Sequence, residues 1–312
     1  MCGARNLQAY KKWLIVLLMF LATFGLGPAT ANALAQVITL TPTSVSPVIQ
    51  PGGTYKGSFQ ILDQGDSSYK FLTYPTPYRV SGEDYTPEFT FLPSAPDVGS
   101  WLNFSIPGGN LKPGQTVTVD YTISVPVNTQ PGGYYAAAFA ETQIPTKANS
   151  VALNERVGEL FYIQVAGPVV KKGSLLTWKS GILQKPPLTS TIRIQDSGSI
   201  HFPAKITYVV EDTFGHPKYT LNTDKELLPQ TIRRITLPWK KSPSIGLFRV
   251  KGSVNILGQT HNLPTKWVLV MSSTMRIAAL VLMALILFYL AIVRPRLSGG
   301  KRARDRRRYE IS

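Results

Sequence analysis

Residues 116–125 alternate with a period of two: Val117, Val119, Tyr121, Ile123 and Val125 fall on one side, and Thr116, Thr118, Asp120, Thr122 and Ser124 on the other. Successive side chains of a strand point to opposite faces, whereas a helix repeats every 3.6 residues, so this pattern predicts a half-buried strand. The alternation returns at Tyr55, Phe59 and Ile61, at Phe161, Ile163 and Val165, and at Phe248, Val250, Val254 and Ile256. Between these runs lie Pro51-Gly52-Gly53, Asp63-Gln64-Gly65, Pro107-Gly108-Gly109, Pro113-Gly114 and Pro131-Gly132-Gly133. Such clusters make turns and interrupt helices. Short strands with regular turn punctuation predict an all-β fold built of antiparallel sandwiches.

The two ends follow a different pattern. Trp13 to Leu26 is a short apolar run, preceded by Arg5, Lys11 and Lys12 and followed by Ala29, Ala31, Ala33 and Ala35. That arrangement predicts a secretory signal peptide over 1–35, cleaved after Ala33 or Ala35. Ile277 to Val293 is uncharged and leads into Arg294, Arg296, Lys301 and Arg302. At helical rise it covers roughly 25 Å, and a transmembrane helix is expected over 275–293. The basic flank 294–312 predicts a cytoplasmic tail and places 36–272 outside a plasma membrane.

Charge divides the expected ectodomain. Residues 36–165 hold six Lys/Arg against ten Asp/Glu, while 166–275 hold fifteen against five. The strand ending at Val165 and the Gly167-Pro168 pair put the boundary between an acidic first domain, 36–166, and a basic second one, 167–272. Cys2 is the one cysteine of the chain and lies inside the expected signal peptide. The mature protein would therefore have neither disulfides nor a thiol nucleophile. Export and the lack of any nucleic-acid module signature argue against a nucleic-acid partner.

Pro96-Asp97-Val98-Gly99-Ser100-Trp101-Leu102, Leu111-Lys112-Pro113-Gly114-Gln115-Thr116, Tyr121-Thr122-Ile123-Ser124-Val125-Pro126 and Pro131-Gly132-Gly133-Tyr134-Tyr135-Ala136 form a series of turns and strand starts. It resembles the Ig-like surface domain of bacterial membrane proteins and the first domain of the WxL-interacting proteins of Gram-positive bacteria. Asp196-Ser197-Gly198-Ser199-Ile200-His201-Phe202-Pro203-Ala204 and Glu211-Asp212-Thr213-Phe214-Gly215 look like stretches of the accompanying second domain, with Asp196 where that pattern has asparagine. Leu228-Pro229 and Gly246 to Val250 continue the likeness, which covers most of 38–271. The resemblance implies two tandem Ig-like or fibronectin-III-like sandwiches. It also implies an association of the first domain with peptidoglycan and of the second with a partner surface.

Catalytic signatures are missing. His201, His216 and His261 lack metal spacing, and no nucleophile elbow, phosphate loop or calcium ladder is present. Glu83-Asp84 and Asp63/Asp66 read as solvated turn carboxylates rather than calcium ligands, and the Asn103-Phe104-Ser105 sequon as a chance match. No enzyme activity, cofactor or metal is expected. Two clusters remain as candidates. Tyr74, Tyr78, Arg79 and Tyr85, in the irregular stretch 74–91, would suit a sugar or a flat partner surface. The plainer alternative is an excursion whose tyrosines cover one end of a sandwich. Lys171, Lys172, Arg233, Arg234, Lys240, Lys241, Arg249 and Lys251, joined by Lys179, Lys185, Arg193 and Lys205, would suit anionic lipid headgroups or wall polymer. The expected function is a non-enzymatic, membrane-anchored binding or scaffolding protein engaging cell-wall polymer or another surface protein. The alternative is an extracytoplasmic, chaperone-like assembly factor that binds client strands at a sandwich edge.

Overall fold

The computed structural model describes residues 38–93, 96–143, 154–288 and 290. The expected signal peptide and basic tail lie outside the described residues. In chain order the first sandwich contains β1 (Ile38–Thr41), β2 (Ser44–Val45), β3 (Val48–Ile49), β4 (Thr54–Asp63), β5 (Tyr69–Pro77), β6 (Arg79–Ser81), β7 (Thr86–Glu88), β8 (Leu102–Phe104), β9 (Gly108–Leu111), β10 (Thr116–Ser124), β11 (Gly132–Gln143) and β12 (Arg156–Val165). The second contains β13 (Gly173–Ser180), β14 (Leu183–Gln184), β15 (Leu188–Asp196), β16 (Phe202–Glu211), β17 (Pro217–Leu227), β18 (Thr231–Trp239), β19 (Ile245–Ile256) and β20 (Gln259–Met271). A helix, α1 (Ser273–Phe288), follows.

Each sandwich buries the side chains that the period of two points inward. In the first, a sheet of order β1-β4-β10-β8 packs against one of order β2-β12-β11-β5-β9, with β3 also on β12. Phe59, Ile61, Val119, Ile123, Phe161, Ile163 and Val165 are fully buried between them. In the second, β13-β15-β18 packs against β14-β20-β19-β16-β17. Phe248, Val250, Val254 and Ile256 belong to that core.

The opening strand of each sandwich divides between its two sheets. β1 lies antiparallel on β4, after which β2 and β3 run parallel on β12. Likewise β13 lies on β15 and β14 on β20. This covers one flank of each sandwich. On the opposite flank of the second sandwich, among the described residues, β17 pairs only with β16, and β18 only with β15.

The C-terminal apolar run is helical as far as Phe288, and α1 has sixteen residues. Among the described residues, no helix is long and apolar enough to cross a membrane. The expected span ran to Val293, and residues 289 and 291–293 lie outside the described ones. The apolar side chains of α1 are exposed all around it, including Ile277, Leu280, Val281, Leu282 and Leu285.

Candidate functional site

The stretch 74–91 is more ordered than its sequence suggests, because β5 continues through Pro75 and Pro77 and a β6–β7 hairpin follows. Gly82 (φ 62°) and Tyr85 (φ 56°) both take the left-handed conformation, which carries Glu83 to the tip of the hairpin. There Glu83 meets the second sandwich. Its carboxylate forms two bonds with the Arg193 guanidinium, one of them 2.7 Å from Nε, and its carbonyl accepts the Arg234 backbone N–H at 2.7 Å. Asp84 lies 3.6 Å from Arg234. These cations hold the Glu83 carboxyl below its usual range, Arg193 foremost. Tyr85 follows the same path: its hydroxyl bonds Thr231 and accepts from Leu228 N at 3.0 Å, and Arg233 covers its ring at 4.3 Å.

The candidate aromatic cluster is therefore a joint between the sandwiches. Tyr78 and Tyr85 are only 8% and 7% exposed and share an apolar cluster with Phe139, Tyr162 and Leu228. Neither ring is free for a ligand. Arg79 pairs with Glu88 at 2.6 Å, and Tyr74 donates to Glu141 at 2.5 Å. The hairpin carboxylates Glu83 and Asp84 face arginines rather than a cation site.

His201 lies in the same joint. Tyr135 Oη lies 3.3 Å from its Nδ1 and accepts its backbone N–H at 3.2 Å. Burial, assisted by Lys171, lowers its pKa to about 4, so the ring is neutral at physiological pH. Asp196 ends β15 fully buried. Its Oδ1 accepts Gly198 N at 2.8 Å, while Oδ2 has no hydrogen-bond partner among the described residues. Burial raises this carboxyl to about 6. A folded pKa above the unfolded one means stability that is complete below about pH 4 and lost as pH rises through 6. Asp196→Asn keeps the Gly198 bond and removes the buried charge. The variant should gain about 2 kcal/mol at pH 7 and nothing at pH 4, read from thermal unfolding at both.

The basic residues do not form one face. Arg193, Arg233 and Arg234 are engaged in the joint. Arg249 and Lys251 lie on the outer face of β19 and meet Glu211 at 3.4 and 2.6 Å. Lys171 and Lys172 occupy the connection between sandwiches, and Lys240 and Lys241 follow β18.

Lys240 and Lys241 border a groove of about 720 Å³ between the unpaired edges of β17 and β18. Its floor is apolar. Tyr219 stacks on Trp239 with centroids 6.1 Å apart and planes 13° from parallel, and Trp239 meets Phe248 edge-on. Leu221, Thr223 and Pro238 complete the walls, and Lys218 and Lys225 line the β17 side. No carboxylate lines the groove. Asp212 holds Lys218 at 3.1 Å, while Lys225, Lys240 and Lys241 form no ion pair among the described residues. β18 is the poorer edge for a new strand, because Arg234 N is already bonded and Pro238 has no N–H. β17 runs eleven residues, and its outer edge carries alternate N–H and C=O groups that no other strand pairs. Sequence reading did not single out Tyr219, Leu221 or Trp239. The alternation of Tyr219, Leu221 and Thr223 was a usable strand signal, but which edge stays open is set by topology.

Among the described residues, no group of three or more His, Cys, Asp or Glu is placed to hold a metal ion. No family model and no curated protein matches the chain. Solved structures similar to it include the CsuC–CsuE chaperone–tip adhesion subunit complex of Acinetobacter baumannii, at 10% identity and a TM-score of 0.38 over 76% of this chain and 99% of that one. The E. coli chaperone DraB matches at 12% identity and 0.35 over 76% and 96%. A PapD-like domain of human CEP192 matches at 13% identity and 0.33 over 46% and 97%. All three scores lie below 0.5.

Proposed function

We propose that the protein is a non-catalytic, membrane-anchored binding protein of the cell envelope. Its second sandwich takes up an extended acidic segment of a partner polypeptide by strand addition to β17, in the manner of a chaperone-like assembly factor. The observation that carries this reading is the groove, where a long unpaired edge, an aromatic floor and a rim of lysines, of which Lys218 alone is ion-paired among the described residues, occur together. An inserted strand would satisfy backbone groups at about 1 kcal/mol per hydrogen bond, and its inward side chains would cover Tyr219, Leu221 and Trp239. Acidic residues on that same inward face, at the ends of the added strand, would meet Lys225 and the Lys240-Lys241 pair. Anchoring by the C-terminal apolar run holds this site at the outer membrane surface. The likeness to tandem Ig-like surface proteins fits the same architecture.

The test uses the full chain in phosphatidylcholine nanodiscs and a fluorescent nine-residue peptide with a valine core and glutamates at both ends. Polarisation should report saturable binding, and the Lys225→Glu/Lys240→Glu variant should bind at least about tenfold more weakly, a loss of about 1.4 kcal/mol. A lysine-for-glutamate peptide should not bind. If wall fragments bind in place of the peptide and depend on the same lysines, the site belongs to a polymer and the strand-addition reading fails.

A further inference from the structure

We propose that the helix-proximal end of the second sandwich is a docking surface for an anionic lipid bilayer, with Phe214, Ile182 and Ile245 entering the headgroup region. The proposal rests on the membrane anchoring in the preceding reading and adds a second, independent contact with the same membrane.

Strand pairing brings four segments to one end. Ile245 pairs with Met271, and Gly246 and Gln184 both align with Val270, so β19 and β14 are level with the last residues of β20. Glu211 pairs with both Arg249 and Pro217, which puts the β16–β17 turn at this end too. Ser272 N donates to Ser244 O at 2.8 Å, and Arg276 N to Ser272 O at 3.0 Å. The start of α1 is thus fixed to the turn before β19, with only Ser272 between strand and helix. One residue spans under about 4 Å, so wherever α1 enters lipid the sandwich end must follow.

The chemistry of that end suits an interface. Phe214, at the tip of the β16–β17 turn, is 85% exposed, and Ile182 and Ile245 are 80% and 50% exposed. Residues 181–187, 239–246 and 269–276 carry Lys185, Lys240, Lys241 and Arg276 and no Asp or Glu, and the two acids of the β16–β17 turn, Glu211 and Asp212, are paired with Arg249, Lys251 and Lys218. Apolar tips inside a cationic ring gain from acyl-chain burial and from anionic headgroups together. The adjoining α1 is apolar around its whole circumference, a pattern that belongs in hydrocarbon rather than against one protein face. A lipid surface is the occupant continuous with both.

The experiment uses the full chain with Cys2→Ser and a spin label at Thr213→Cys, beside Phe214, or at Gln259→Cys, at the opposite end of the domain. In phosphatidylglycerol vesicles the Thr213 label should be several-fold less accessible to a water-soluble nickel chelate than the Gln259 label. Phe214→Ser, and separately Lys185→Gln/Lys240→Gln/Lys241→Gln, should restore most of that accessibility. Flotation after a carbonate wash reads anchoring by itself. A chain that floats while its Thr213 label stays aqueous overturns the docking surface alone, whereas a chain that does not float overturns both readings. Protection that rises with protein-to-lipid ratio and is equal in phosphatidylcholine would assign the surface to a second copy of the chain and reject lipid.

Discussion

Exchanging Glu159 for glutamine is expected to stabilise the protein by roughly 4 kcal/mol at pH 7.5 and by almost nothing at pH 4. Glu159 lies on β12 on the same inward-facing side as Phe161, Ile163 and Val165, and it is fully buried. Neither carboxylate oxygen has a hydrogen-bond partner among the described residues. Tyr121, which meets Phe161 edge-on, is close enough for the Glu159 charge to raise its own pKa further, after burial. Burial without a counter-charge raises the Glu159 carboxyl to about 8. The folded pKa lies above the unfolded one of about 4.5, so the folded state binds the extra proton. Stability is then complete below pH 4.5 and lost as pH rises through 8. Glutamine has the same shape and no charge, so the difference in melting temperature between the two proteins isolates this one group. His201, with its lowered pKa, runs the other way: its stabilisation is present above about 6.5 and lost as pH falls through 4. It cancels in the difference. A variant curve parallel to the parent between pH 5 and 8 would mean that Glu159 is already ionised and hydrated, and the buried placement would fall. Glu159→Leu should stabilise at pH 7.5 as well, since an apolar side chain of similar volume leaves no polar atom to satisfy.

The alternation through Val157, Phe161 and Ile163 puts position 159 on the inner face, but a glutamate there reads as an interruption rather than as a buried acid. The inward residues of β4, β10, β12 and β19 were legible because each strand buries one face and a one-residue slip would expose the whole set. The Asp196-Ser197-Gly198 turn was legible too, since the side-chain bond to Gly198 is local. Long-range features were not. The stretch 74–91 read as irregular from Tyr74 onward, although the register of β5 with Ala138 and Ala136 carries the strand across Pro75 and Pro77. The tyrosines of 74–91 read either as a ligand platform or as the cover of a sandwich end, because a sequence does not say what lies opposite them. The cations of the second half read as one face, yet Glu83 and Glu211 divide them among different surroundings. The groove depends on which strands end a sheet, and local pattern is silent on that.

The joint and the groove share one strand. β18 gives its first half to the first sandwich, through Arg234 N and the Thr231 hydroxyl, and its last residues to the groove, through Trp239. A partner strand on β17 would therefore lie beside an edge whose other end is held by Glu83. The hairpin β6–β7 thus limits how far along β18 any added chain can pair.

Tyr85→Ala should release that hold, and it is the substitution with the largest expected structural effect in the joint. It removes a buried ring packed against Tyr78, Tyr162 and Leu228, together with the face covered by Arg233. It also leaves the buried Leu228 N–H without its acceptor. Truncating a buried aromatic costs about 3–5 kcal/mol, and this one connects two sandwiches that form one compact unit. The expected result is therefore two unfolding steps where the parent shows one. Trp101 reports the first sandwich, and Trp178 and Trp239 report the second, all three being buried. Tyr85→Phe keeps the ring and loses only the hydroxyl, so it should cost about 1–2 kcal/mol and keep the steps together. Peptide binding at β17 should survive in both variants, because the groove is built from the second sandwich alone. If Tyr85→Ala still unfolds in one step with its midpoint unchanged, the charged contacts of Glu83 hold the sandwiches without the aromatic cluster. The joint would then be electrostatic, and raising the salt concentration rather than removing the ring should separate the two halves.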